Sequence, residues 1–139
     1  FETVFTLLER VLCAEHSNIA DMAEDSLQSV LDHLGLASKI HRASELDIDQ
    51  DLHGQSRIMA ICDALRTSQY INPSGGRALY SSEVFAQHGL DLRFIQMNPL
   101  KYNQGASMPF HPALSMIDVL MWNTKEEVIA LMAKYTLER

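Results

Sequence analysis

The segment Tyr70-Ile-Asn-Pro-Ser-Gly-Gly-Arg77 gathers the residue types that a small anion or a sugar requires. Gly75 and Gly76 let backbone N–H groups come close to a ligand. Asn72 can donate and accept, and the Arg77 guanidinium can hold a phosphate or carboxylate through two bonds. Neither G-x-G-x-x-G nor a Walker lysine is present, so a tight structural turn is the standing alternative. A second candidate is Asp118, set among Ile117, Val119 and Leu120, where a carboxylate without a partner is expensive. Ser115, three residues earlier, can supply that partner in a reciprocal helix cap, so Asp118 reads as a cap or as a catalyst. Arg57 lies on the polar side of its helix, one residue before the apolar Ile58, and reads as a surface arginine or as a site residue. Tyr102 and Gln104 sit in a long loop that they either pin or use to touch a bound group.

Metal chemistry is not indicated. Asp47, Asp49 and Asp51 alternate as in a calcium loop, but Leu52 stands where that loop needs Gly and Ile58 where it needs Glu. They read as a solvated loop or helix cap. The six histidines form no H-x-x-x-H pair and no pairing with Cys at ligand spacing. His53, beside Gly54 at a helix start, can cap, face solvent or touch a ligand.

These residues must be positioned by regular elements. Val4, Leu7, Leu8, Val11 and Leu12 follow the i, i+3, i+4 rule and predict a first helix. Ser17 or Asn18 caps a second, whose stripe of Ile19, Met22, Leu27, Val30, Leu31 and Leu34 stops at Gly35. The alternation over Ser38–Ala43 predicts a strand, and the spacing of Ile58, Ile61, Cys62 and Leu65 predicts a helix over Leu52–Arg66. A strand over Ser68–Asn72, a helix from Ser81 or Ser82 to His88 closed by Gly89, and a strand over Leu90–Met97 complete a β-α-β-α-β order that argues for parallel pairing. The loop of residues 98–112 is followed by two helices whose starts are marked by Ser115/Asp118 and Thr124/Glu127, the last carrying Val128, Leu131, Met132 and Tyr135 on one face. The fold class is therefore α/β, a small, mainly parallel sheet flanked by helices. The domain reading is a single α/β domain over 1–139, with a helical hairpin at 1–36, the β-α-β-α-β core at 37–97, and a loop plus two helices at 98–139. In an open α/β sheet the loop after a central strand lies where ligands bind, which is where Asn72 to Arg77 would fall.

At 139 residues, 47% hydrophobic and 21% charged, the chain can bury a real core, and no apolar run reaches the length of a membrane-spanning helix. The formal charge of −7 disfavours a phosphate-backbone footprint, so nucleic acid is not an expected partner. Cys13 and Cys62, each inside a helical pattern, suit a reducing compartment, and the expected location is the cytoplasm. The chain opens at Phe1 within a helical pattern, which reads as a piece of a longer α/β protein. Its apolar faces could then pack on the rest of that protein or on a second copy, giving a homo-oligomer.

The ordered set Arg57-Ile-x-x-Ile-Cys62, Tyr70-Ile-Asn-Pro-Ser-Gly-Gly-Arg-Ala-Leu-Tyr80, Phe85 with His88-Gly-Leu-Asp-Leu-Arg-Phe94, and Pro112-x-Leu-Ser-Met-Ile-Asp-Val-Leu-Met-Trp-Asn123 resembles the WbqC-like family, found with surface-polysaccharide and O-antigen biosynthesis genes. The resemblance covers about Gly54 to Leu137 and more weakly the helices before it. It implies a site containing Arg57, Asn72, Gly75, Gly76, Arg77, Tyr80, Ser115 and Asp118. It further implies a transferase, or one half of an ATP-dependent ligase, that moves an acyl or aminoacyl group to a nucleotide-linked amino sugar. In that picture the Asn72–Arg77 loop grips phosphate or carboxylate, Arg57 stabilises developing charge, and Asp118 orients a donor or acts as base. Family members usually begin with a further segment bearing a Gln-Pro-x-Phe-x-Pro motif, which resembles the opening strand and loop of nucleotide-binding ligases and is not among these residues. A nucleotide cofactor would sit there. The chain also carries Gln55-Ser56 where the family pattern has an acidic residue directly before the arginine. The alternative to an enzyme is a non-catalytic packing or dimerisation module with a structural Gly-Gly loop.

Overall fold

Parallel pairing of two short strands organises one part of the chain. In the computed structural model, which describes residues 1–105 and 109–139, β1 (Gln69–Pro73) lies parallel to β2 (Asp91–Met97), with Gln69 opposite Asp91 and Pro73 opposite Ile95. Part of the 98–112 loop thus falls outside the described residues. On its other edge β2 pairs antiparallel with β3 (Tyr135–Glu138), Phe94 facing Glu138 and Met97 facing Tyr135. Among the described residues the sheet is a mixed one of order β1-β2-β3, an α/β arrangement with one parallel and one antiparallel pair.

The chain divides into two compact units. One contains residues 41–98 and 135–139, the other residues 1–40 and 99–134.

The first of these holds the sheet together with α3 (Gly54–Ala64) and α4 (Ser82–Gln87). Leu92 and Phe94 alternate onto one face of β2 and bury there with Cys62, Phe85 and Leu90. Burying such a side chain stabilises by roughly 1.5–3 kcal/mol, so this cluster is what fixes the short sheet. Helix α4 starts where expected, with the Ser81 hydroxyl accepting from the Val84 N–H at 3.4 Å.

The strand expected over Ser38–Ala43 is not formed. Those residues are irregular and lead into a 3₁₀ turn at Ala43–Glu45. Their one large apolar side chain is Ile40, too little buried area to offset the ordering of an extra strand. The helix pattern read through Tyr135 is also corrected: the helix ends at Met132, and Tyr135 opens β3. All four β3 side chains are exposed, so this strand is held by backbone pairing with a distant partner and carries no burial signal of its own.

The other unit pairs α1 (Glu2–Cys13) and α2 (Ile19–Leu34) with α5 (Met116–Trp122) and α6 (Lys125–Met132). Val4, Leu34, Leu120 and Val128 form its core. Of the two cap candidates for α2, Asn18 serves, its Oδ1 accepting from Ala20 and Asp21 N–H at 2.9 and 3.0 Å. Leu12, Ile19 and Leu27, read as part of the buried stripes, are exposed instead. A buried Ser29 takes a core place, its hydroxyl donating to the Asp25 carbonyl at 2.6 Å and accepting from Arg10. No helix among the described residues is long and apolar enough to cross a membrane.

Two helices end in the same hydrogen-bonded motif with different residues at its left-handed position. After α2 it is Gly35 (φ 69°), with Leu36 N–H bonded to Leu31 C=O; after α3 it is Arg66 (φ 53°), with Thr67 N–H bonded to Cys62 C=O. An L-residue held left-handed costs about 1–2 kcal/mol. Arg66→Gly is therefore expected to stabilise the chain by about 1 kcal/mol, raising the thermal midpoint by about 3 °C. A calorimetric scan checks this, and a lowered midpoint would refute it.

Candidate functional site

Beyond β1 the backbone turns at once into a 3₁₀ segment, Ser74–Leu79, so the Asn72–Arg77 residues form a folded turn rather than an open loop. Asn72 Oδ1 accepts the Tyr70 hydroxyl at 3.0 Å, and its Nδ2 donates to the Pro73 carbonyl at 3.1 Å. A Cβ on Gly76 would collide with Asn72 Nδ2, whereas one on Gly75 would meet nothing within 4 Å. Gly76 is thus the glycine the turn requires. Arg77 makes the expected two-pronged grip, but on this chain: its Nη1 donates to the Arg139 carbonyl and its Nη2 to Glu138 Oε2, both at 2.6 Å. The guanidinium also stacks 4.5 Å over the Phe94 ring. Tyr80 packs edge-on against Tyr70 and Phe85, with centroids 5.8 and 5.9 Å away. Every one of these contacts is internal, and together they favour the structural-turn reading of the Gly-Gly loop.

Two measurements follow from this cluster. Gly76→Ala should cost about 1–2 kcal/mol in urea denaturation, because Asn72 must abandon the Tyr70 hydroxyl, and the cost should largely vanish in an Asn72→Ala background. Equal costs in both backgrounds would disprove the collision. Burial, reinforced by the Tyr80 hydroxyl, pushes the Tyr70 pKa up to about 12. The folded chain therefore keeps this proton when the unfolded chain, near 10, has lost it, and stability should fall as pH rises from about 10 to about 12. Tyr70→Phe should remove most of that alkaline loss, read from urea midpoints across the window.

Arg57, in the first turn of α3, donates from Nη1 to the Gln50 carbonyl at 3.0 Å and from Nη2 to Gln50 Oε1 at 2.8 Å. It ties down the acidic loop, within which Asp49 Oδ1 accepts from the Asp51 N–H at 3.0 Å. His53 takes the N-cap position of α3 without a side-chain cap bond. Gln55, part of the departure from the family pattern, accepts from the Ser81 N–H at 3.2 Å.

In the other unit Ser115 caps its helix, but not through the expected reciprocal pairing with Asp118. The Ser115 hydroxyl accepts from the Ile117 N–H at 3.2 Å, but the Asp118 carboxylate does not close the box. Thr124 and Glu127, by contrast, close theirs fully. Asp118 Oδ2 instead accepts the Tyr102 hydroxyl at 2.6 Å and Gln104 Nε2 at 2.8 Å. Gln104 then grips the His111 peptide, accepting its N–H at 2.8 Å and donating to its carbonyl at 3.0 Å. The burial of Tyr102, with the carboxylate beside it, raises its hydroxyl pKa, so Tyr102 stays a neutral donor and Asp118 the acceptor. Both recorded bonds fall on Oδ2.

Asp118 also borders an open, mainly apolar cleft of about 770 Å³, with Leu114, Ser115, Ile117 and Trp122 along its walls. Ser115, Asp118 and Trp122 fall at i, i+3 and i+7, one face of the helix and its cap. Trp122 is 49% exposed, an uncommon state for the largest aromatic side chain. A carboxylate held by two donors beside an exposed indole can receive a cationic or hydroxylated ligand with an apolar face.

A family model described as "WbqC-like protein family" matches residues 1–130. The chain belongs to the WbqC-like family. No curated protein and no solved structure matches it. The WbqC-like match begins earlier than the sequence motifs reached, taking in α1 and α2, and stops before β3. The Asp118 cleft, the Tyr102 and Gln104 loop and the Gly76 turn all lie inside it, while the partners of Arg77, Glu138 and Arg139, lie outside. The sequence named Asp118, Ser115, Tyr102 and Gln104 and paired the first two as a cap, but gave no means of bringing Tyr102 and Gln104 to Asp118. Trp122 it read only as apolar, and its place at i+4 from Asp118 was the signal available.

Proposed function

We propose that this WbqC-like chain acts in polysaccharide biosynthesis by holding an amino sugar, linked to a nucleotide, in the Asp118 cleft for acyl or aminoacyl transfer. What carries the reading is a carboxylate that leaves its helix cap and is held by Tyr102 and Gln104 at the edge of a cleft containing an exposed tryptophan. The apolar face of a sugar ring stacks on Trp122, and Asp118 Oδ1 takes the sugar amine. In transfer, the bound ammonium first gives one proton to solvent; the neutral amine nitrogen then attacks the acyl carbon, the new amide bond forms as the donor's leaving group departs, and Asp118 accepts the second proton. The cytoplasm suits such a reaction and the free thiols of Cys13 and Cys62.

Trp122 is the single tryptophan of the chain, so its fluorescence reports on the cleft directly. Saturable quenching by glucosamine and by nucleotide-linked glucosamine, with glucose weaker, supports the reading; no preference for the amine overturns Asp118 as its partner. A second reading, a packing or dimerisation module, draws on the exposure of Phe1 (80%), Ile19 (79%) and Leu12 (64%). It predicts concentration-dependent association by analytical ultracentrifugation.

A further inference from the structure

Trp122 lines a second, more polar pocket of about 360 Å³, shared with Lys101, Asn103, Asn123, Glu127 and Lys134. Tyr102 borders it too, and the same hydroxyl is bonded to Asp118 of the apolar cleft. We propose that this pocket is a phosphate subsite, taking the phosphate or pyrophosphate ester of the ligand whose sugar occupies the cleft. Its hydrogen-bonding character is what points there. Of the acceptors along its wall, Asn103 Oδ1 takes the Gly105 N–H at 2.9 Å and Glu127 Oε2 takes the Thr124 N–H at 2.8 Å, which leaves the other Glu127 oxygen, and that residue's one negative charge, in the pocket. The donors are not engaged internally. Neither Lys101 nor Lys134 forms an ion pair or side-chain hydrogen bond among the described residues, and the Asn103 amide nitrogen retains its two hydrogens. Two exposed ammonium groups against the single Glu127 carboxylate leave this concavity net positive in a chain of net charge −7, and phosphate oxygens are acceptors that the uncommitted ammonium groups can take.

The placement also matches covalent chemistry. In a nucleoside diphosphate sugar the pyrophosphate is bonded directly to the sugar ring, so its two sites must be neighbours, and these two cavities have Trp122 in common. The identity of the attached sugar rests on the function proposed above; the phosphate subsite itself does not.

The test is titration of the 139-residue chain with inorganic pyrophosphate, uridine diphosphate and glucosamine, followed by Trp122 fluorescence and calorimetry. Saturable pyrophosphate binding that weakens as salt is raised is expected. Lys101→Gln with Lys134→Gln should weaken it by about a hundredfold, about tenfold for each lysine, while the paired arginine substitutions retain it. Both side chains are exposed, so the variants should melt as the parent does. Absence of saturable pyrophosphate binding, or binding unchanged in the double glutamine variant, overturns the subsite. Uridine diphosphate binding tighter than pyrophosphate places a nucleoside beside it, and equal binding assigns the pocket to the phosphate alone. Pyrophosphate binding without glucosamine binding leaves this subsite standing and removes the amino-sugar reading of the cleft; the converse removes the subsite alone.

Discussion

Asp118→Asn should keep the fold and lose the amine. The two hydrogen bonds that the carboxylate receives, from Tyr102 and Gln104, both land on Oδ2, and an amide oxygen in that place can accept both. What changes is the other position, where a carboxylate oxygen becomes an NH2 that cannot accept from an ammonium group. A charge-assisted bond of this kind contributes about 1.5–3 kcal/mol, so glucosamine should bind about tenfold to a hundredfold more weakly with the thermal midpoint nearly unchanged. Asp118→Ala should behave differently, since it strands the Tyr102 hydroxyl and the Gln104 amide and should cost about 1–3 kcal/mol of stability as well. Fluorescence titration and thermal melting of the two variants separate these effects. Undiminished glucosamine affinity in the Asn variant would remove the carboxylate from the site.

The largest effect on stability is expected at Phe85. Its side chain is fully buried, stacked on Tyr70 at 5.9 Å and met edge-on by Tyr80 at 5.9 Å, in the cluster with Cys62, Leu90, Leu92 and Phe94. Truncating such a ring removes its transfer free energy and leaves a cavity, at a cost of about 3–5 kcal/mol. Against the about 5–15 kcal/mol of a typical domain, Phe85→Ala should leave the sheet-bearing unit marginal at 25 °C. Cys62 offers a local readout. Its thiol is buried in the same cluster, and burial, with Asp63 beside it, raises its pKa, so it should resist thiol reagents while the exposed Cys13 reacts. In Phe85→Ala the second thiol should become reactive and the urea midpoint should drop; continued protection of Cys62 would show that the cluster closes over the gap.

The two outcomes bear on different parts of the molecule, and the Arg77 contacts show why they should be kept apart. The grip that the residue types suggest for phosphate is, in the folded chain, a clasp on Glu138 of β3 and on Arg139 just after it. The Gly-Gly turn then reads as the fitting that holds β1, Tyr70 and the last strand in place, and the chemistry is better sought at Asp118. The residue types at the turn announce hydrogen bonding without saying to what.

Local interactions made much of this protein readable in one dimension. The stripe of Val4, Leu8 and Val11, the Asn18 and Gly35 ends of α2, the caps at Ser81 and Thr124, and the β1 and β2 segments all depend on residues within a few positions of one another, and their periodicity declares them. The parallel pairing of β1 with β2 followed from the helix between them. Tertiary structure alone decided the rest. Strand β3 is exposed on every side chain and pairs with residues some forty positions earlier, so its helical spacing at Tyr135 misled. Ser115 and Asp118 had the spacing of a reciprocal cap, and the helix start was correct. Yet the carboxylate turned to Tyr102 and Gln104, because a phenol and an amide brought in by a preceding loop outcompete the Ser115 backbone N–H that a reciprocal cap would use. Short-range order is determined by the sequence because the chain itself supplies both partners; the direction in which a polar side chain bonds is determined only when folding delivers the competitors.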